Sequence, residues 1–203
     1  MKKQLIISVG REFGSGGHEI GRILAKKLGL ELYDRDLIDK AAEKIVAMPK
    51  EVLEKADEKK HNPWLHQVWY DVPNQELNGM TANDTLHQAY SSIIRELAGK
   101  ENCVFVGRCA DYALSDNPDC INIFIHADLD VRIKNVSRNL NITENKARDI
   151  INKTDKQRAS YYNYYTSKKW GDSKSYNLSL DAGKLGTDNC VDCLLYTSDA
   201  ADE

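Results

Sequence analysis

A long basic run is missing from this chain. Of its 203 residues, 28 are Lys or Arg and 31 are Asp or Glu, for a net charge of −3. The electrostatic footprint of a nucleic-acid binder and a polybasic membrane patch are therefore both absent. A long apolar run is missing as well. The first one, Leu5, Ile6, Ile7 and Val9, meets Arg11 and Glu12 too soon for a signal sequence, and no stretch is long enough to span a bilayer. These absences lead us to expect a cytoplasmic protein with neither nucleic acid nor membrane as a partner. Paired cysteines are lacking too. The five that occur, at 103, 109, 120, 190 and 193, are odd in number and irregular in spacing, which reads as reduced thiols, mostly in a core. With no internal repeat, low-complexity stretch or long linker, the length fits a single domain with a proper core. Residues 193–203 (CLLYTSDAADE) resemble a translated sequencing-library adapter, so the expected domain is 1–192 and the tail is left out of the fold.

What the chain does have is a glycine-rich stretch between a strand and a helix. Residues 8–20 read SVGREFGSGGHEI. The apolar run before them reads as a buried strand, and Ile20, Ile23, Leu24 and Leu28 after them fall on one helical face. In such a loop the backbone N–H groups turn inward and the helix adds its positive end, so an anion, usually a phosphate, is held there. The same spacing also suits glycines that only permit a tight turn. Against the P-loop pattern G-x-x-x-x-G-K-[ST], Gly14, Ser15 and Gly16 are followed by Gly17 where lysine belongs, then by His18 and Glu19. The dinucleotide pattern fits less well, since Glu19 stands where its third glycine would be.

Further on, Gly29 is a helix C-cap and residues 30–33 form a short strand ending in Asp34, Arg35 and Asp36. The helix that follows has Leu37, Ile38, Ala41, Ala42 and Ile45 on its apolar side. Carboxylates at that hand-over either face a ligand crevice or cap the helix. Residues 48–82 are rich in aromatics but weak in periodicity, as expected of a cover over a site or a contact between copies of the chain, which leaves a homo-oligomer open. Thr81 with Asp84 resembles a capping box for an amphipathic helix ending at Gly99. Residues 103–106 are apolar throughout, as in a strand buried on both faces, and lead into Gly107 and Arg108. An arginine there either clamps a phosphate bidentately or pairs with Asp111 or Glu12. A strand at 120–125 precedes a helix opened by Asp128, with Ile133, Val136 and Leu140 inside and Arg132, Lys134 and Arg138 outside. Thr143 starts another helix, whose charged continuation runs into the tyrosine-rich residues 160–165. A last strand at 176–180 is followed by a helix after Gly186. The alternation of strand and helix predicts an α/β fold, a parallel sheet covered on both faces.

Taken together in order, ISVGREFGSGGHEIGRILAKKLGLELYDRDLI, VFVGRCADYAL, INIFIHADLDVRIKN, TDKQRASYYNYYT and YNLSLDAGKLG resemble the cytidylate-kinase-like family of P-loop nucleoside-monophosphate-kinase relatives. The resemblance implies a three-layer P-loop NTPase fold: a parallel sheet of about five strands with helices on both faces, a substrate-covering region at 48–82 and a helical lid at 139–165. It implies ATP and Mg²⁺ as cofactors and a nucleoside monophosphate such as cytidylate as acceptor. By the same resemblance Gly14, Ser15, Gly16, Gly17 and His18 bind the donor phosphates. Asp34, Arg108 and Asp155 contact the acceptor, and Arg108, Lys156 and Arg158 are catalytic. The metal ligands are not assigned. Departures from the family pattern are Gly17 in place of lysine, Val106 and Cys109 in place of acidic residues beside Arg108, and Ile151 and Thr154 in place of lid arginines. Arg11, His18 or a lid residue are candidates to supply the missing charge. The expectation is a kinase; the alternatives are a degenerate nucleotide-binding regulatory protein and a kinase of another small molecule.

Overall fold

The computed structural model describes residues 4–34, 38, 76–77 and 80–199. In chain order the elements are β1 (Ile6–Arg11), α1 (Gly17–Leu28), β2 (Glu31–Tyr33), β3 (Glu76–Leu77), β4 (Met80–Thr81), α2 (Ala82–Ala98), β5 (Cys103–Val106), α3 (Ala110–Ala113), β6 (Cys120–His126), α4 (Leu129–Leu140), α5 (Glu144–Thr166), β7 (Leu178–Asp181), α6 (Ala182–Leu185) and α7 (Thr187–Asp199). The helix expected after Asp34 lies outside the described residues except for Ile38, which is helical and buried. Residues 48–75 of the expected covering region also lie outside them.

Five strands pair in parallel in the order β2-β5-β1-β6-β7, with Val9 beside Val106 on one side and Ile123 on the other. Parallel pairing requires cover on both faces, and the apolar strands meet that need by alternation. Ile6, Cys103 and Phe105 point to one face, where Leu86, Tyr90, Ile93 and Ile94 of α2 pack. Ile7, Val9, Val104, Val106, Ile123 and Ile125 point to the other, against Ile20 and Leu24 of α1 and Cys190, Val191 and Leu194 of α7. This is the three-layer P-loop architecture the sequence led us to expect. Among the described residues β3 and β4 form a separate antiparallel pair.

The helices start and stop where side-chain chemistry dictates. Gly29, left-handed at φ 65°, closes α1, and Leu30 N–H reaches back to Ala25 O at 2.9 Å, with Lys26 and Lys27 set against the negative end of the dipole. Thr143 caps α5 by accepting from Lys146 N–H. With neither glycine nor proline between 144 and 166, the charged and tyrosine-rich segments form one continuous helix. Ile133 and Val136 of α4 pack on Ala147 and Ile151 of α5, with Phe13 against them.

Two details differ from expectation. The last strand begins at Leu178, two residues later than its apolar pattern suggested. Arg132, placed outside α4 on account of its charge, is buried, for a reason given below. Helix α7 runs from Thr187 to Asp199, and Leu194 within it is 5% exposed. Burial of a leucine contributes about 1.5–3 kcal/mol, enough to hold that turn on the sheet. No helix among the described residues is long and apolar enough to cross a membrane.

Candidate functional site

β1 is the middle strand, and the chain leaves its carboxyl end as the loop Glu12–Phe13–Gly14–Ser15–Gly16 before α1 begins. Gly14 (φ 80°) and Gly16 (φ 86°) take left-handed conformations that cost a residue with a Cβ about 1–2 kcal/mol each. Gly16 is the N-cap of α1 and offers no side-chain acceptor, so the first turn takes no cap from that residue. Ser15 is buried beneath the loop. Its hydroxyl bridges Glu12 O at 2.9 Å and Ile125 O at 3.2 Å and receives Gly17 N–H at 3.4 Å, which ties loop to sheet.

A buried ionic knot supports the loop from below. Arg132 of α4 lies between Glu12 Oε2 at 3.3 Å and Asp155 Oδ2 at 2.5 Å, and its Nε donates to Ala127 O at 2.9 Å. Asp155 of α5 uses its other oxygen to accept Phe13 N–H at 2.8 Å. Arg158, one turn on, donates to Arg11 O at 3.0 Å and lies over the Phe13 ring. Asn135 Nδ2 holds Gly14 O at 3.1 Å. Helices α4 and α5 thus fix residues 11–14 through side chains.

A cavity of about 620 Å³ opens in front of this loop, a size within the usual range for small-molecule sites. Of the residues named from sequence, Gly14, Gly16, Gly17, His18, Asp34 and Arg158 line it. His18 Nε2 stands 3.5 Å from Asp34 Oδ2 across the first turn of α1. Ser15 and Asp155 lie behind the loop, joined to backbone and to Arg132 as described. Lys156 is exposed on α5 and does not line the cavity. Arg11, a candidate from the sequence for the missing charge, also lines it, as do Glu12, Arg138 and Thr187, which sequence reasoning did not assign to the site. At the rim Glu19 is held by Arg22, whose hydrogen bond lowers its pKa below the ordinary carboxylate value and keeps it charged at the positive end of α1.

Arg108 lies next to this wall rather than in it. Gly107, Arg108 and Cys109 are three successive residues with positive φ, 87°, 56° and 53°. Non-glycine residues in that region are strained by about 1–3 kcal/mol, a pattern found where geometry serves a site. The turn carries the Arg108 guanidinium over the Tyr90 ring, 4.6 Å from its centroid, on the α2 side of the sheet. Behind it, buried Asp111 accepts from Tyr162 hydroxyl at 2.6 Å. Burial raises the Asp111 pKa, and the Tyr162 hydrogen bond opposes that rise. Burial also pushes the Cys103 and Cys120 thiols up to about 12, and Cys109 upward too, so these cysteines are inert core groups at neutral pH.

A parallel sheet whose middle strand passes through a glycine loop into a helix, with a cavity at that loop, defines the P-loop kinase class of fold. The chain belongs to the cytidylate kinase-like family, whose family model matches residues 6–184. Among solved structures it is similar to an uncharacterized protein from Eubacterium ventriosum ATCC 27560, at 31% identity and TM-score 0.74, over 97% of this chain and 99% of that one. It shares its fold with the shikimate kinase of Bacteroides thetaiotaomicron, at 15% identity and TM-score 0.54 over 96% and 98% of the two chains. The shikimate kinase of Acinetobacter baumannii, solved in complex with shikimate, gives 13% and 0.51 over 98% and 96%. No curated protein matches the chain. Family and fold together support a P-loop phosphotransferase, a kinase, as the class of activity.

Proposed function

We propose that this protein transfers the γ-phosphoryl group of ATP to a small phosphorylated acceptor, a nucleoside monophosphate such as cytidylate. The observation that carries this reading is the Gly16–Gly17 start of α1 opening, with its glycine loop, onto a cavity that Arg11, Arg138 and Arg158 reach from three different elements. Phosphoryl transfer asks little of a protein beyond position and charge. In this reading the N–H groups of residues 14–18 hold the donor phosphates, and the arginines neutralise charge on the transferred group. An acceptor phosphate oxygen forms the new bond to the γ-phosphorus while the bond to the β–γ bridging oxygen breaks and ADP departs. The acceptor is already an oxyanion and has no proton to lose, so no general base is needed.

Asp34, from the cavity wall, and Arg108, one residue beyond Gly107, orient the acceptor. Lys156 and Arg158 on α5 close the lid region 139–165 over both substrates, while Asp155 acts through the loop it holds. Among the described residues no three His, Cys, Asp or Glu side chains gather as a metal cage. Magnesium does not need one, since it takes one or two carboxylates plus substrate phosphates, and Glu12 and Asp34 in the cavity wall meet that requirement. When bound, it neutralises phosphate charge. Gly17, with no side chain where P-loops carry lysine, favours a second reading: a nucleotide-binding protein without transfer activity. An assay of ADP formation from ATP and Mg²⁺ separates the two, with cytidylate, uridylate, deoxycytidylate and shikimate as acceptors. Turnover that depends on a nucleoside monophosphate is expected; ATP binding with no product from any acceptor would establish the second reading.

A further inference from the structure

The P-loop pattern, laid on this chain with Gly16 as its second glycine, runs from residue 11 to residue 18. Its first position, a glycine in the pattern, is Arg11; its seventh, the lysine, is Gly17. A small residue and a cationic one have exchanged places across the loop.

The exchange has a steric reason. A Cβ at Gly17 would lie 2.5 Å from Arg11 Cβ, 3.1 Å from Arg11 Cγ and 3.1 Å from Ile125 Cβ. Side chains at 11 and 17 therefore exclude each other, because carbon atoms do not pack closer than about 3.4 Å without strain. The stem of Arg11 fills the space from which a lysine at 17 would start. Its guanidinium continues across the neighbouring strand end, where a Cβ at Gly107 would land on Nη1. Two glycines, on α1 and after β5, hollow a seat for one arginine. Arg158 holds the Arg11 carbonyl, and Arg11 lines the cavity beside the loop.

We propose that Arg11 supplies from the end of β1 the cationic contact to the donor's terminal phosphates that P-loops take from a lysine. This rests on the phosphotransferase reading. A guanidinium grips two phosphate oxygens at once, which an ammonium does as a point charge only. Gly17 is then not a lost function but the space that the relocated charge requires.

The experiment compares wild type, Arg11→Gly, Arg11→Lys, Gly17→Ala and the exchanged pair Arg11→Gly with Gly17→Lys. ATP–Mg²⁺ and ADP affinities are measured by calorimetry, and folding is checked by circular dichroism. We expect Arg11→Gly to stay folded, to weaken ATP about ten- to hundredfold and to weaken ADP less, since a charge-assisted contact is lost at the terminal phosphates. Arg11→Lys keeps part of the affinity, Gly17→Ala lowers it through the clash, and the exchanged pair recovers at least part of what Arg11→Gly loses. Wild-type ATP binding that Arg11→Gly leaves unchanged overturns this assignment alone. Absence of ATP binding by the wild type overturns the phosphotransferase reading and the assignment together.

Discussion

Arg132 has no contact with the proposed ligands, yet the loop depends on it. Its side chain is only 10% exposed, and it neutralises two carboxylates, Glu12 and Asp155, that are 25% and 16% exposed. A buried ion pair adds little over apolar packing, but removal of one partner leaves uncompensated charge and costs about 3–5 kcal/mol. Arg132→Leu should therefore lower the unfolding free energy by about that amount in urea titrations. Arg132→Leu combined with Asp155→Leu and Glu12→Gln should recover a large part of the loss. Equal instability of the single and combined variants would show that shape, not charge balance, sets the cost. Arg132 was readable in principle: with Leu129, Ile133, Val136 and Leu140 it falls at the i, i+3, i+4 spacing of the inner stripe. Its charge misled, because a buried arginine reveals itself only through acidic partners 120 positions upstream and 23 downstream. No local pattern contains that information.

At the scale of elements, α5 ties together segments far apart in the chain. Near its middle it holds the loop through Asp155 and Arg158; toward its carboxyl end its tyrosines meet α2. His87 of α2 stacks on Tyr165 with ring centroids 3.9 Å apart, and its Nδ1 lies 3.0 Å from Tyr161 hydroxyl. Burial lowers the His87 pKa from its ordinary 6.5; nearby Asp84 opposes the shift and Arg95 adds to it. Because the folded state disfavours the charged ring, the unfolded chain takes up more protons as pH falls through 6.5. The helix contact is thus fully stabilised above that value and weakens below it. His87→Phe keeps the ring stack and removes the titration. Melting temperatures between about pH 5 and pH 8 should show wild type losing ground to the variant only on the acid side. A constant offset across the range would mean that His87 takes up its proton equally in the folded and unfolded chain, so that burial does not shift it. Strands were the most legible elements, since residues 103–106 carry no polar side chain and can only be buried. The length of α5 was less so, because a charged run followed by tyrosines has no helical stripe, and only tertiary partners such as Asp111 and His87 explain its faces.

For the molecule as a whole, the site is assembled from segments far apart in the chain: the loop at 11–19, Asp34, α4, Arg158 and Thr187. The parallel sheet brings them together, since ligands in open α/β folds sit outside the carboxyl ends of the strands. Alternating strands and helices made the fold class legible, and the glycines made the loop legible. The order β2-β5-β1-β6-β7 was not, because apolar strands do not encode their neighbours. Nor was the seat of Arg11, which depends on glycines 6 and 96 residues away in sequence that meet only in the fold. The central claim is that backbone amides at the start of α1 grip the terminal phosphates of a nucleotide. Amide chemical shifts of the full chain, followed during titration with a non-hydrolysable ATP analogue and Mg²⁺, test it most directly. The account predicts saturable shifts led by Gly14, Ser15, Gly16, Gly17 and His18; saturation with those amides unmoved, or no saturable change at all, would contradict it.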